Sequence, residues 1–168
     1  MKRALENIPP HYLIGFIFIA SAATLLGAYG FEYAGGLAPC QLCYYQRLPY
    51  FAAMLLCGAV WLRADLAHWI SAALMAVFLA GAGLGAYHSG VEWHWWAGPA
   101  SCVAGGSGGS VEDLMAQILA APIVRCDEIP WSLLGISLAG YNSLISAGLM
   151  ALAALAFRNG FKDQRHAV

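Results

Sequence analysis

The chain has 168 residues, of which 61% are hydrophobic and only 10% charged, where a soluble domain carries about 25% charged residues. That balance excludes an ordinary water-soluble globule, and a net charge of −1 without a basic patch excludes a nucleic-acid binder. The expectation is one integral membrane domain over residues 1–168, an all-α bundle of four transmembrane helices in the lipid bilayer.

Four apolar runs approach the roughly 20 residues that a helix needs to cross a bilayer. They cover about 12–29, 44–62, 69–87 and 131–157. Lys2 and Arg3 before the first run also fit a signal peptide, and Ala20-Ser21-Ala22 loosely fits a cleavage site. That site lies inside the run, with Thr24-Leu25-Leu26 still to come, so an uncleaved first span is expected. With both termini in the cytoplasm, Lys2, Arg3, Arg63, Arg158, Lys162 and Arg165 face inward and only Arg47 and Arg125 face outward. This positive-inside asymmetry sets the orientation and leaves outer loops of about 30–43 and 88–130.

The first outer loop ends in Pro39-Cys40-Gln41-Leu42-Cys43-Tyr44-Tyr45-Gln46-Arg47. Cysteines three apart share one face of a helical turn, close enough for a disulfide. At a helix start the free N–H groups favour a thiolate, which makes such a pair redox-active. Arg47, four residues past Cys43, returns to the same face one turn deeper. Cys57 lies about 21 Å further along the helix and reads as a small buried apolar residue. Pro49 falls near the start of the second span, where a missing N–H is tolerated.

The long outer loop leaves the third span through His88, Glu92, His94 and the tryptophans Trp93, Trp95 and Trp96, which suit a lipid–water interface. Cys102 follows, then a Gly105–Gly109 tether. Ser110 and Asp113 resemble a capping box, and Val111, Leu114, Met115, Ile118 and Leu119 recur as one face of a short amphipathic helix. Pro122 limits that helix and Cys126 comes just after. One cysteine thus precedes a hinge and the other follows an anchored helix, which suits a disulfide whose halves separate and re-pair. In the last span, Tyr141 and Asn142 are expected to hydrogen-bond across the bundle.

Together, four spans, a C-x-x-C with a downstream arginine in the first outer loop and two separated cysteines in the second resemble the DsbB family over nearly the whole chain. DsbB proteins are bacterial inner-membrane thiol:quinone oxidoreductases that reoxidise a DsbA-type periplasmic thioredoxin-fold protein, on a route that ends in quinone. The resemblance implies that Cys102 exchanges with the soluble partner, that Cys126 resolves onto Cys40, and that Cys43 lies next to the quinone, ubiquinone or menaquinone. It also implies that Arg47 and His88 line the quinone site.

Chemistry alone supports part of this. A flexible outer pair can form mixed disulfides with a protein dithiol. A pair at the membrane surface can pass two electrons to something lipid-soluble, and an arginine stabilises the negative charge. Metal-ligand spacing is weak: His88 and His94 are not at helical spacing, and a single C-x-x-C is a poor zinc signature. Blander readings also stand. Both pairs could be structural staples of a non-enzymatic membrane assembly or metal-handling protein, Arg47 could snorkel to headgroups, and a sibling oxidase could serve another partner.

Overall fold

The computed structural model describes residues 8–99 and 124–166, with residues 162–166 described by backbone alone. The Gly105–Gly109 tether, the amphipathic segment 111–119 and Cys102 lie outside the described residues.

Four long helices carry the fold: α1 (Pro10–Tyr29), α2 (Gln41–Leu62), α3 (Ala67–Glu92) and α4 (Leu138–His166). A π-helical turn, Gly30–Ala34, continues α1, and a 3₁₀ turn, Ala64–Leu66, leads into α3. The segments Pro10–Ala34, Ala64–Glu92 and Leu138–Phe161 are each long and apolar enough to cross a membrane. The protein is therefore a multi-pass membrane protein. At 22 residues α2 is longer than α1 and shorter than α3, and it carries Gln41, Gln46 and Arg47.

The interior is filled by Leu13, Ile14 and Ile17 of α1, Tyr50, Ala53 and Cys57 of α2, Leu74 and Phe78 of α3, and Leu149 and Ala153 of α4. The exterior is apolar too, with Phe16, Ile19, Leu26, Leu48, Leu55, Leu79 and Leu144 exposed. In lipid such a surface costs nothing, so the helices are held by close packing and internal hydrogen bonds rather than by escape from water. Small residues make the approach possible where α3 meets α4. A Cβ on Gly85 would stand 2.8 Å from the Ser143 backbone nitrogen, and one on Gly81 would stand 3.1 Å from Ser146 Oγ. Ser143 Oγ–H donates to the Ala82 carbonyl across the same seam at 2.9 Å.

Gly85→Ala should therefore cost about 1–3 kcal/mol, because backbone rather than a movable side chain blocks the new methyl. Gly83, whose Cβ would meet nothing within 4 Å, supplies the control. Thermal unfolding in detergent should fall for Gly85→Ala and hold or rise for Gly83→Ala. Equal loss in both variants would show that the seam is not tight.

Several boundaries differ from the sequence expectation for physical reasons. The third helix does not stop at Tyr87 but runs through Glu92, so His88 is a helical residue. Its end is closed by Trp93 N–H and Trp95 N–H donating to the Ser89 and Gly90 carbonyls, and by the Trp96 ring lying over Gly90. The Trp96 indole N–H also donates to the Tyr87 carbonyl at 2.9 Å. The fourth helix begins at Leu138 rather than at Trp131. Ahead of it, β1 (Ser132–Leu133) and β2 (Ile136–Ser137) pair as an antiparallel hairpin, Ser132 opposite Ser137. Leu134 and Gly135 turn it with φ of 52° and 78°, the double left-handed bend of the tight hairpin turn. Tyr141 closes this local unit by donating to the Leu133 carbonyl, instead of reaching across the bundle. Pro49 sits two turns inside α2, not in its first turn, and its ring faces Gly81.

Asn159 Nδ2 donates to the Ile8 carbonyl at 2.9 Å, which joins the start of α1 to the far end of α4. The end of α1, the start of α2, the end of α3 and the start of α4 meet at the opposite pole. The polar residues gather there.

Candidate functional site

Cys40 is the N-cap of α2. Its backbone is extended (φ −77°, ψ 173°) and its Sγ accepts the Cys43 N–H at 3.3 Å, as a serine cap would. The proline before it and the helix after it therefore present both sulfurs on the first turn. They lie 3.0 Å apart and both are free, so the pair is a dithiol. The Cys40 sulfur is held well below the ordinary thiol range. The Cys43 S–H contributes most, the His88 ring and the Cys43 N–H add to it, and burial opposes it.

His88 reaches this pair from the last turns of α3 and is buried. Gln46 Nε2 lies 2.5 Å from His88 Nδ1, and His88 Nε2 lies 3.6 Å from Cys40 Sγ. With the amide donating to Nδ1, the ring proton sits on Nε2 and points at the sulfur. One turn on, Glu92 is 4% exposed and accepts the Ser137 hydroxyl proton. Ser137 Oγ also accepts the Gly140 N–H at 3.1 Å, so one hydroxyl caps α4 and ties it to α3.

Arg47 is buried, its Nη1 is 2.6 Å from Glu32 Oε2, and its guanidinium stands 4.7 Å and 5.1 Å from the Tyr29 and Tyr44 ring centres. A buried cation so paired and stacked has exchanged water for fixed partners. Deeper, the Tyr50 hydroxyl donates to Asn142 Oδ1 at 2.6 Å and meets Ser146 Oγ at 3.0 Å. This is the cross-bundle bond expected of Asn142, and it leaves Asn142 Nδ2 buried without a partner.

These groups surround one cavity of about 610 Å³. Cys40, Cys43, Arg47, His88, Glu92 and Asn142 line it among apolar side chains of α1, the π-helical turn and α4, such as Leu25, Phe31, Leu138 and Ile145. Cys126 is buried beside it in a small cluster with Cys40, Leu42 and Val91. It is disulfide-bonded, and to neither Cys40 nor Cys43, which are free. Cys57 is buried and free, as expected, and is not among the residues that line the cavity. His94 stands outside the cavity lining, in a left-handed backbone conformation (φ 59°) at the helix end.

The structure thus brings together Cys40, Cys43, Arg47, His88 and Cys126. Sequence reading missed Glu32 as the partner of Arg47, Gln46 as the partner of His88, and the Glu92–Ser137 bond. Glu32 was visible only as an outer-loop charge. Gln46 carried a signal, since it stands three residues after Cys43 and so shares its helix face. The pairing of Glu92 with Ser137 depends on a contact across 45 residues and left no local trace.

The family model described as disulfide bond formation protein DsbB matches residues 10–156. Disulfide bond formation protein B of Verminephrobacter eiseniae is 30% identical over 157 residues, covering 88% of this chain and 86% of that protein. The protein of the same name from Methylococcus capsulatus is 31% identical over 159 residues, covering 88% and 93% respectively. An uncharacterized protein of Rickettsia prowazekii is 27% identical over 146 residues. No solved structure matches the chain.

Proposed function

Because the chain belongs to the DsbB family of disulfide bond formation proteins, we propose that it reoxidises a DsbA-type soluble dithiol oxidase and passes the electrons through two cysteine pairs to a membrane quinone. The observation that carries the reading is the capped Cys40–Cys43 dithiol on the wall of an apolar cavity, with Arg47 and His88 beside it and Cys126 in contact with its cluster.

The cavity fits a quinone by its chemistry. Its walls are largely apolar, Arg47 and His88 stand with the sulfurs, and the unpartnered Asn142 Nδ2 offers a further donor. A quinone held there supplies the two-electron acceptor. The protein's own residues do the rest. A thiolate of Cys126 attacks Cys40 Sγ, breaking the Cys40–Cys43 disulfide and releasing Cys43, which takes up a proton. Cys102 then attacks Cys126, the loop disulfide re-forms, and Cys40 leaves as a thiolate. A stabilised thiolate leaves faster, and Cys40 is stabilised by its cap position, by Cys43 and by His88. Arg47 and His88 then hold negative charge as electrons depart from the sulfurs.

In this reading the chain spans the inner membrane four times, with α2 as the second span and both termini in the cytoplasm. The shared pole of Ile8 and Asn159 supports the even number of crossings. An impermeant thiol reagent applied to reduced, intact spheroplasts should label Cys102 and spare Cys57. Labelling of Cys57 alone would reverse the topology.

The test of function is direct. Mixed with a reduced DsbA-type protein, the purified chain should reduce added ubiquinone or menaquinone mole for mole with partner disulfide formed. No quinone reduction with an intact partner would overturn the proposal. The alternative, a non-enzymatic membrane protein with stapled loops, predicts a Cys40–Cys43 bridge that resists exchange with a reduced partner.

A further inference from the structure

The sulfurs of Cys40 and Cys43 and a ring nitrogen of His88 lie within 4.8 Å of one another. Sequence spacing did not suggest this set, because His88 arrives from another helix. We propose that the reduced pair and His88 form a binding site for a thiophilic cation such as Zn²⁺ or Cd²⁺, present in the dithiol form and absent in the disulfide, so that cation binding and disulfide formation exclude each other.

Geometry supports the set. Bonds of about 2.3 Å to sulfur and about 2.0–2.1 Å to nitrogen at tetrahedral angles require S···S near ~3.8 Å and S···N near ~3.6 Å. The Cys40 Sγ to His88 Nε2 distance is already 3.6 Å. The two sulfurs, at 3.0 Å, need to open by less than an ångström, and Cys43 is the more exposed of the two. The cavity gives the fourth position to water. Two sulfurs and one imidazole select zinc, cadmium or cuprous copper over magnesium or calcium.

Gln46 completes the design. To bind through Nε2, His88 must carry its proton on Nδ1, which then needs an acceptor. Turning the Gln46 amide end for end brings Oε1 to that nitrogen, the supporting bond that metal-bound histidines use. The balance is simple: the cation enters, Cys40 ligates as thiolate, Cys43 gives up one proton, the ring proton moves from Nε2 to Nδ1, and nothing is oxidised or reduced. In the disulfide neither sulfur has the charge to ligate. A bound cation would occupy both thiols and stop electron transfer until removed.

The test uses the full-length chain in detergent, carrying Cys57→Ala, Cys102→Ser and Cys126→Ser so that only the inner pair remains. Reduced with a phosphine and titrated with Cd²⁺, it should develop the ultraviolet thiolate-to-metal band and saturate at one equivalent per chain. The oxidised protein should show no band. Adding Cys40→Ser or Cys43→Ser should abolish it, and His88→Gln should weaken affinity by about 10- to 100-fold. A band that survives oxidation or loss of Cys40 would overturn the site, and unchanged affinity in His88→Gln would reduce it to a bare dithiol chelate and overturn the role of His88. Because the readout needs neither quinone nor partner protein, its failure is separable from failure of the oxidoreductase reading.

Discussion

Cys40→Ser should lower steady-state quinone reduction by at least about a thousand-fold, because it removes a group that every turnover uses. Partner oxidation should not vanish at once. The loop disulfide can still accept one pair of electrons, so a single equivalent of partner is oxidised and the reaction stops. Cys102→Ser should lose even that first equivalent, since the cysteine that meets the partner is gone. Cys126→Ser leaves Cys102 as a lone thiol, which should open the disulfide of the oxidised partner and hold it as a mixed disulfide between Cys102 and the partner. Cys57→Ala should be nearly silent, as Cys57 lies in the packed interior and does not line the cavity. Rapid-quench alkylation with stoichiometric partner distinguishes these outcomes. Normal turnover in Cys40→Ser would remove the inner pair from the relay.

Arg47→Ala should raise the quinone concentration for half-maximal rate and lower the rate, with thiol exchange at Cys102 unchanged. A hydrogen bond to a charged group contributes about 1.5–3 kcal/mol, which corresponds to roughly ten- to a hundred-fold in affinity or rate. The structure sharpens the expectation for lysine. Arg47 holds Glu32 while its planar face lies near two tyrosine rings, and an ammonium reproduces the charge but not the fork or the stacking. Arg47→Lys should recover only part of the loss. Glu32→Gln gives the complementary control, because it frees the guanidinium and should leave quinone binding no weaker. Steady-state kinetics over a quinone series decides the matter, and an unchanged quinone dependence in Arg47→Ala would remove Arg47 from the site.

Much of this arrangement could be read from local pattern. Apolar run length placed α1, α2 and the start of α3 within a few residues, and the spacing from Cys40 to Arg47 put three functional groups on the first turns of α2. The end of α3 could not be read this way, because hydropathy marks where lipid stops and not where a helix stops. The stretch from His88 to Glu92 carries His88, Ser89 and Glu92 yet is helical, closed by a tryptophan ring over Gly90. The start of α4 was hidden for a similar reason: Trp131–Ser137 is apolar enough to pass for helix, and only the Leu134-Gly135 turn betrays the hairpin. The partners Glu32, Gln46 and Ser137 were not legible as partners. Each is an ordinary polar residue until the fold sets it against a group distant in sequence.

The polar face of α2 has a consequence for how the protein is made. Arg47, Gln46 and Tyr50 each find their partner on another helix: Glu32, His88 and Asn142 respectively. In an apolar environment each is costly until paired. Synthesis runs from the N-terminus, so when α2 leaves the ribosome His88 and Asn142 do not yet exist, and only Glu32 has already emerged. The Arg47–Glu32 clasp is therefore the one bond of the three that a nascent α1–α2 hairpin can close by itself. The other two must wait for α3 and α4, which makes the residence of α2 among apolar neighbours a property of the finished bundle rather than of the helix alone.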